Sequence, residues 1–217
     1  MTQTRIKICG ITRPEDAREA VAGGADAIGM VFYPPSPRAI SVVQAAEIVD
    51  AISPFVTVVA LVVDKPADDI NRILEQVPVD LIQFHGDESP AFCRQFARPW
   101  MKALRVREDT DIASACGAYG EGRAILLDAW QEGVPGGTGM RFDWGLVSRS
   151  LPLPVVLAGG LNEHNVAEAV ATVKPAAVDV SSGVECSPGI KDAGKIRRFI
   201  AAVRAADQQV DGTIDDQ

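Results

Sequence analysis

Short apolar runs alternate with amphipathic segments along almost the whole chain. Eight runs are too short for buried helices and are typical of strands; they cover residues 5–9, 27–32, 57–63, 81–86, 100–106, 124–130, 154–160 and 177–183. Eight further segments, one after each run or shortly beyond it, repeat their apolar residues at helical spacing: 14–24, 41–52, 67–77, 89–97, 111–120, 142–151, 162–173 and 192–206. The repeating unit is therefore a strand followed by a helix.

This alternation predicts a parallel sheet, because strands joined through helices pair in parallel and are buried on both faces. Eight such units in 217 residues fit an α/β fold, a single-domain (β/α)₈ TIM barrel. An open doubly wound sheet is the alternative, but the first strand and turn, KICGITRPED, lack the G-x-G-x-x-G motif of dinucleotide-binding folds. We predict a barrel domain over residues 1–206 and a polar, disordered tail over 207–217.

Composition narrows the class of partner. A net charge of −8 and a pI near 4.8 disfavour nucleic acid and anionic membranes, which attract basic surfaces. No apolar stretch approaches the roughly 20 residues that span a bilayer, and the amino terminus lacks a signal-peptide core, so we predict a cytoplasmic protein with reduced thiols. The four cysteines are scattered and only two histidines are present, which predicts no metal site. The sequence favours a monomer over a dimer, since no long apolar stripe requires a partner.

Two glycine-rich loops indicate a phosphate site. In a (β/α)₈ barrel the catalytic groups come from the carboxyl ends of the strands, and the loops after strands 7 and 8 commonly bind phosphate. The seventh run ends with Gly159 and Gly160, and the eighth with Ser182 and Gly183, which leaves backbone N–H groups accessible to an anion. For either loop alone a tight turn is an equal explanation. Together they favour a small phosphorylated ligand.

Two side chains at strand ends are candidates for acid–base chemistry. Asp128 interrupts an otherwise apolar strand, where a carboxylate is costly unless it is paired or functional; a structural salt bridge is the alternative. Strand alternation places Cys9 on the same inward face as Lys7, whose charge we expect to lower the thiol pKa. Inert packing is the usual role of a buried cysteine, but the nearby acid candidate favours a chemical role for Cys9.

Arg38 and His85 are candidates for ligand binding. Arg38 ends the loop YPPSPR, which three prolines stiffen, and this suits a clamp for an anion; an ordinary surface arginine is the alternative. His85 lies near the carboxyl end of the fourth run and is explained equally well as a ligand contact or as a structural histidine. No carboxylate pair or second histidine has metal-ligand spacing, so we expect no metal catalysis.

The motifs occur together in the order of a known family. KICGIT, GMVFYPPSPR, LIQFHGDE, LLDAW, GGTG, LAGGL, VDVSSGVE and PGIKD resemble the phosphoribosylanthranilate isomerases of tryptophan biosynthesis, from Arg5 to about Phe199. The resemblance implies a (β/α)₈ barrel that converts N-(5′-phosphoribosyl)anthranilate into 1-(2-carboxyphenylamino)-1-deoxyribulose 5-phosphate. It also implies that this Amadori rearrangement proceeds by acid–base catalysis, with no metal and no cofactor.

The resemblance also implies a role for each candidate. Asp128 would be the general acid and Cys9 the general base, while Arg38 would bind the anthranilate carboxylate. His85 and Asp179 would line the ribose and anthranilate pocket. The phosphate would be bound mainly by backbone groups of small residues, namely Gly139, Gly159, Gly160, Ser182 and Gly183.

Four alternative functions can be distinguished by particular residues. An indoleglycerol-phosphate synthase would need a catalytic lysine at a strand end, which Lys102 in mid-strand does not obviously supply. A histidine-pathway aminoaldose isomerase, or an enzyme active in both pathways, would carry aspartate in place of Cys9. A silent barrel that only binds a phosphorylated metabolite would not need both Cys9 and Asp128.

Overall fold

The eight predicted strands form a closed parallel barrel. A computed structural model of the chain describes residues 3–107, 109–129, 143–148 and 150–212. Each barrel strand pairs in parallel with the next, and the eighth pairs with the first, with Ile6 opposite Val178. The single-domain (β/α)₈ prediction is thereby confirmed. The strands are β1 (Arg5–Cys9), β2 (Ala27–Val31), β3 (Thr57–Val62), β4 (Leu81–Phe84), β5 (Trp100–Val106), β6 (Ala124–Ala129), β7 (Val155–Leu157) and β8 (Ala177–Val180).

Seven α-helices surround the barrel in the described part of the chain. Several begin where the sequence supplies a cap: Ser41 and Gln44 form a capping box, and the Asp192 carboxylate accepts a hydrogen bond from the Lys195 N–H. Such caps satisfy N–H groups that the first helical turn leaves unpaired. The helices are α1 (Pro14–Ala22), α2 (Val42–Asp50), α3 (Ala67–Gln76), α4 (Pro90–Cys93), α5 (Ile112–Ala118), α6 (Val166–Val173) and α7 (Ala193–Gly212).

The predicted helix over 142–151 is wrong. The described residues there form one 3₁₀ turn, Trp144–Leu146, which ends at an extended Val147. Gly145 is a poor helix former, and the Ser148 hydroxyl accepts from the Ser150 N–H, a local bond that competes with helix. The apolar spacing of this segment was therefore not enough to specify a helix.

Two other helix boundaries also differ from the prediction. The segment 162–173 becomes helical only at Val166, because the side chains of Asn162 and Asn165 bond to nearby N–H groups and form a turn. The final helix continues to Gly212, past the domain boundary predicted at residue 206. Asp207 lies within it and accepts hydrogen bonds from Thr4, which ties the helix to the start of β1.

Strand alternation separates two layers of core, as predicted. Ile6 and Ile8 are fully buried in the layer between barrel and helices, in the same cluster as Phe199 of α7. Lys7, between them, points into the barrel, as does Leu126 of β6, which belongs to a separate interior cluster. A one-residue slip of a strand would exchange these two sets of side chains. Burial on both faces therefore fixes which residues reach the barrel interior.

A short hairpin between β8 and α7 was not predicted. Strands β9 (Glu185–Ser187) and β10 (Ile190–Lys191) are antiparallel, and Glu185 lies opposite Lys191. The turn includes Gly189 at a φ of 81°, a conformation that favours glycine. Across the described ranges, every helix is too short or too polar to cross a membrane.

Candidate active site

The carboxyl ends of the barrel strands enclose a pocket of about 740 Å³ that is open to solvent. This pocket gathers residues that are distant in sequence but lie at neighbouring strand ends, as the barrel geometry requires. Gly183 does not line it, and the predicted phosphate residue Gly139 lies outside the described residues. The other sequence-predicted site residues all line the pocket: Cys9, Arg38, His85, Asp128, Gly159, Gly160, Asp179 and Ser182.

Asp128 has a histidine partner. His85 Nε2 lies 3.2 Å from Asp128 Oδ2, and His85 Nδ1 lies 2.9 Å from Gln83 Nε2. Both partners of this contact are nearly buried, with side-chain exposures of 11% and 8%. A carboxyl held by an imidazole inside a pocket is suited to exchange a proton with a bound ligand. His85 therefore orients Asp128 as well as lining the pocket.

Cys9 lies beside a buried ion pair. Lys7 Nζ is 2.9 Å from Asp179 Oδ1, and both side chains are less than a tenth exposed. A Cβ added to Gly29 would lie 2.8 Å from Lys7 Nζ and 2.9 Å from Cys9 Sγ, so the amine and the thiol meet over this glycine. Loss of one partner of such a pair typically costs about 3–5 kcal/mol, because an unpaired charge stays buried.

The predicted lowering of the Cys9 pKa is wrong. Burial raises the pKa of the Cys9 thiol, and this outweighs the opposing effect of Lys7. Asp179 adds to the rise because its negative charge disfavours a nearby thiolate. Burial would also lower the pKa of Lys7, but Asp179 keeps that pKa above its ordinary value. The sequence revealed the lysine beside the thiol but not the burial of the thiol, or the nearby carboxylate, which together outweigh it.

We expect alkylation of Cys9 to be slow at neutral pH and to accelerate as the pH rises. A raised pKa leaves little thiolate near pH 7, and the reactive fraction grows about tenfold per pH unit below the pKa. The measurement uses iodoacetamide and peptide mass spectrometry on a Cys186→Ser variant, because Cys186 is exposed.

The rate at which iodoacetamide alkylates Cys9 in the unfolded protein serves as the control for reagent access. Cys93 and Cys116 are buried and provide internal references for thiols outside the pocket. A Cys9 rate at pH 7 equal to that of the unfolded chain would contradict the raised pKa. A slow rate that stops rising near the ordinary pKa of a cysteine thiol, about 8.5, would also do so, since poor access alone would then explain it.

Glycine is required after β7 and β8 because another backbone segment approaches closely at each position. Gly159 has a φ of 80°, and a Cβ there would lie 2.4 Å from the Ala129 backbone nitrogen. A Cβ on Gly183 would lie 2.0 Å from the Leu161 carbonyl oxygen, so this residue joins the two loops instead of facing the pocket. Ser182 and Gly160 remain on the pocket side. The two glycine loops therefore pack against each other to form one wall.

Arg38 reaches the pocket with one edge of its guanidinium already occupied. Its Nε and Nη2 each lie 2.8 Å from an oxygen of Glu185, and Lys191 Nζ lies 2.8 Å from Glu185 Oε1. Burial would raise the pKa of the Glu185 carboxyl, but hydrogen bonds from Arg38 and Lys191 hold that pKa below its ordinary value. Glu185 lies in the motif SSGVE and Lys191 in PGIKD, yet nothing local in the sequence indicated that Glu185 would meet Arg38.

Lys102 does not serve the pocket. Its ammonium group lies 2.8 Å from Glu88 Oε2 and bonds the Gly86 carbonyl, and it is almost fully buried outside the pocket lining. Glu88 also accepts from the N–H groups of Gly86 and Asp64. This ion pair fixes the loop that follows His85. A synthase mechanism that requires Lys102 as its catalytic lysine is therefore not supported.

No group of three His, Cys, Asp or Glu side chains in the described part of the chain is arranged to hold a metal ion. The chemistry that this geometry can perform is proton transfer by Asp128 and Cys9, beside loops suited to an anion. A barrel that places such groups at the carboxyl ends of its strands belongs to the class of (β/α)₈ enzymes acting on small phosphorylated molecules.

The particular family follows from comparison with known proteins. The family model described as N-(5′-phosphoribosyl)anthranilate isomerase matches residues 6–202, and the chain belongs to this family. Proteins named N-(5′-phosphoribosyl)anthranilate isomerase from Pseudomonas fluorescens Pf0-1 and Azotobacter vinelandii are each 57% identical to it. The alignments cover 94% and 95% of this chain and 100% of both relatives.

Solved structures agree with this assignment. Phosphoribosyl anthranilate isomerase from Thermotoga maritima has a TM-score of 0.87 at 40% identity, covering 94% of this chain and all of the other. A second structure of such an enzyme, in complex with reduced 1-(o-carboxyphenylamino)-1-deoxyribulose 5-phosphate, has a TM-score of 0.84 at 40% identity with the same coverage. The resemblance inferred from the motifs is confirmed.

Proposed function

We propose that Asp128 and Cys9 carry out the isomerisation of N-(5′-phosphoribosyl)anthranilate to 1-(2-carboxyphenylamino)-1-deoxyribulose 5-phosphate. The chain is an isomerase of this family, which serves tryptophan biosynthesis. The observation that carries the assignment is that β1 and β6, which are not neighbours in the barrel, place one thiol and one carboxyl in the same pocket.

The reaction needs one acid and one base. Asp128 donates a proton to the ribose ring oxygen, and the C1′–O bond breaks to give an open-chain imine that is protonated on nitrogen. The Cys9 thiolate removes the proton from C2′, which gives an enolamine. Transfer of a proton to C1′ and loss of the enol proton then yield the aminoketose. No electrons are gained or lost overall, so an isomerase can complete this sequence with side chains and needs no cofactor.

The pocket walls suit the three parts of the substrate. The loop residues Gly159, Gly160 and Ser182 are proposed to bind the phosphate, with Gly183 joining their loops and Gly139 contributing from outside the described residues. Arg38 is proposed to bind the anthranilate carboxylate. His85 and Asp179 line the space between these ends, while Val31, Tyr33, Leu61 and Val63 provide an apolar wall for the aromatic ring.

A fluorescence assay tests the proposed function. Addition of the protein to N-(5′-phosphoribosyl)anthranilate should cause rapid loss of the anthranilate emission, at the same rate with and without a metal chelator. Ligand binding with no loss of emission would indicate a silent binding barrel. Inhibition by the chelator would contradict a mechanism that relies on side chains alone.

Cellular setting and assembly are part of the same proposal. A biosynthetic isomerase acting on a small phosphorylated metabolite is expected in the cytoplasm, with no nucleic acid or membrane partner. One structural relative is described as mutually generated monomers of a dimeric enzyme from Thermotoga maritima. The monomeric state predicted from this sequence stays a prediction, and sedimentation equilibrium of the purified protein would distinguish it from a dimer.

A further inference from the structure

A buried ionic cluster supports Arg38 from behind the pocket. Arg38 makes two hydrogen bonds of 2.8 Å to the Glu185 carboxylate, and Lys191 makes a third of 2.8 Å. The side chains of Glu185 and Lys191 are 5% and 0% exposed, and neither lines the pocket, whereas Arg38 does. Both residues therefore act on a ligand through other residues: Glu185 through Arg38, and Lys191 through Glu185 and Ser181.

The fold holds this cluster in one geometry. Glu185 and Lys191 are register partners in the β9–β10 hairpin, and Lys191 Nζ also donates to the Ser181 carbonyl at 3.2 Å. On its other side Arg38 packs over Gly10, where an added Cβ would lie 2.5 Å from Arg38 Cδ. The guanidinium therefore has little freedom to rotate away from Glu185.

The orientation leaves a defined edge of Arg38 for a ligand. A guanidinium has five N–H groups in one plane, and Glu185 occupies the Nε and Nη2 edge. The adjacent edge, formed by Nη1 and the second N–H of Nη2, remains suited to a second bidentate carboxylate.

Lys191 determines the net charge of the cluster around Arg38. Glu185 alone would neutralise Arg38 and remove its net attraction for an anion. Burial lowers the pKa of Lys191, although the Glu185 carboxylate opposes this. Protonated Lys191 compensates for the charge of Glu185, so the three side chains together carry a charge of about +1 next to the pocket. Arg38 is then both fixed in orientation and still attractive to a carboxylate.

We infer that Glu185 and Lys191 are positioning residues that give the pocket its preference for a substrate with an aromatic carboxylate. Glu185 orients the guanidinium of Arg38, and Lys191 preserves the net positive charge. This inference rests on the proposed function, because it takes Arg38 as the group that binds the anthranilate carboxylate.

The test compares two ligands that differ only in this carboxylate. The first is reduced 1-(o-carboxyphenylamino)-1-deoxyribulose 5-phosphate, and the second is its phenylamino analogue without the carboxylate. Calorimetry gives both Kd values for each protein, and their ratio is the carboxylate preference. Without Lys191 the charge of Glu185 cancels that of Arg38 and weakens its charge-assisted bonds to the carboxylate, so we expect Lys191→Met to lower this preference about tenfold or more, with the Kd of the analogue nearly unchanged.

A double variant separates orientation from charge. Glu185→Met with Lys191→Met leaves Arg38 with the same net charge of about +1 as the intact cluster but removes the partner that orients it. Replacement of a whole buried ion pair by apolar side chains often leaves stability unchanged, so this variant should fold even if a single one does not. We expect its carboxylate preference to fall as well, and an unchanged preference would overturn the orienting role of Glu185.

The Lys102–Glu88 pair supplies a matched control. It is also a buried lysine–glutamate pair at 2.8 Å, but it does not contact Arg38. Lys102→Met with Glu88→Met should leave the carboxylate preference unchanged. Equal weakening of both ligands by the Lys191 variant would indicate a merely structural role and would overturn the inference.

Failure of the proposed function would be recognised separately in this experiment. An unaltered protein that binds neither ligand would contradict the proposed function itself. An unaltered protein that binds both ligands equally well would leave the function intact and overturn the inference about Glu185 and Lys191.

Discussion

Replacement of Asp128 by Asn is expected to lower kcat for the isomerisation about 10³-fold, within the range that positioned acid–base groups contribute. The amide has nearly the same size as the carboxyl and can still hydrogen bond to His85 at the distance of 3.2 Å found for Asp128. It cannot protonate the ribose ring oxygen, so the ring would open only through the slow uncatalysed route. KM should change little, because the loss concerns the transition state.

The matched control for this variant lies at the opposite end of the barrel. Asp26 precedes β2 and bonds to Arg5, to the Ile6 N–H and to Arg204. The amino-terminal face of such a barrel contributes to stability and not to catalysis, so Asp26→Asn should lower the melting temperature and leave kcat within about twofold. An Asp128→Asn variant that folds and retains normal kcat would remove Asp128 from the mechanism.

The inward direction of Cys9 and Asp128 was predictable because it depends only on the two-residue alternation of side chains along a strand. Side chains of a strand alternate, and both faces of every barrel strand are buried, so the apolar residues beside Cys9 and Asp128 determine which way each points. The closed sheet followed from the number of strand and helix units. These inferences use only neighbours in sequence, and the structure confirms them at Ile6, Ile8 and Leu126.

Contacts between distant segments account for what the sequence did not reveal. The Cys9 pKa is raised by burial and, to a smaller extent, by Asp179, which closure of the barrel between β1 and β8 places directly opposite Lys7. The position of Arg38 depends on Glu185, which is 147 residues away along the chain. The pairing of β8 with β1 could have been used to foresee the first contact, since a barrel was already predicted. The second depends on the conformation of a hairpin that has no clear sequence signal.

Replacement of Cys9 by Ser is expected to lower kcat about 10³-fold or more, because the hydroxyl is too weak a base to remove the C2′ proton. The small change in volume should preserve the packing of Cys9, which lies in an apolar cluster with Val31 and Leu61. A matched Cys186→Ser change at an exposed thiol outside the pocket lining should leave kcat unchanged.

The two large effects can be assigned to different steps with substrate carrying deuterium at C2′. Removal of the C2′ proton should limit the rate of Cys9→Ser and give it a large primary isotope effect, whereas ring opening should limit Asp128→Asn and give it almost none. The opposite pattern would exchange the two assigned roles.

Since burial raises the pKa of Cys9, the thiolate fraction grows as pH increases toward that pKa. Activity of the unaltered enzyme should therefore rise with pH over this interval, and the rise should disappear in Cys9→Ser.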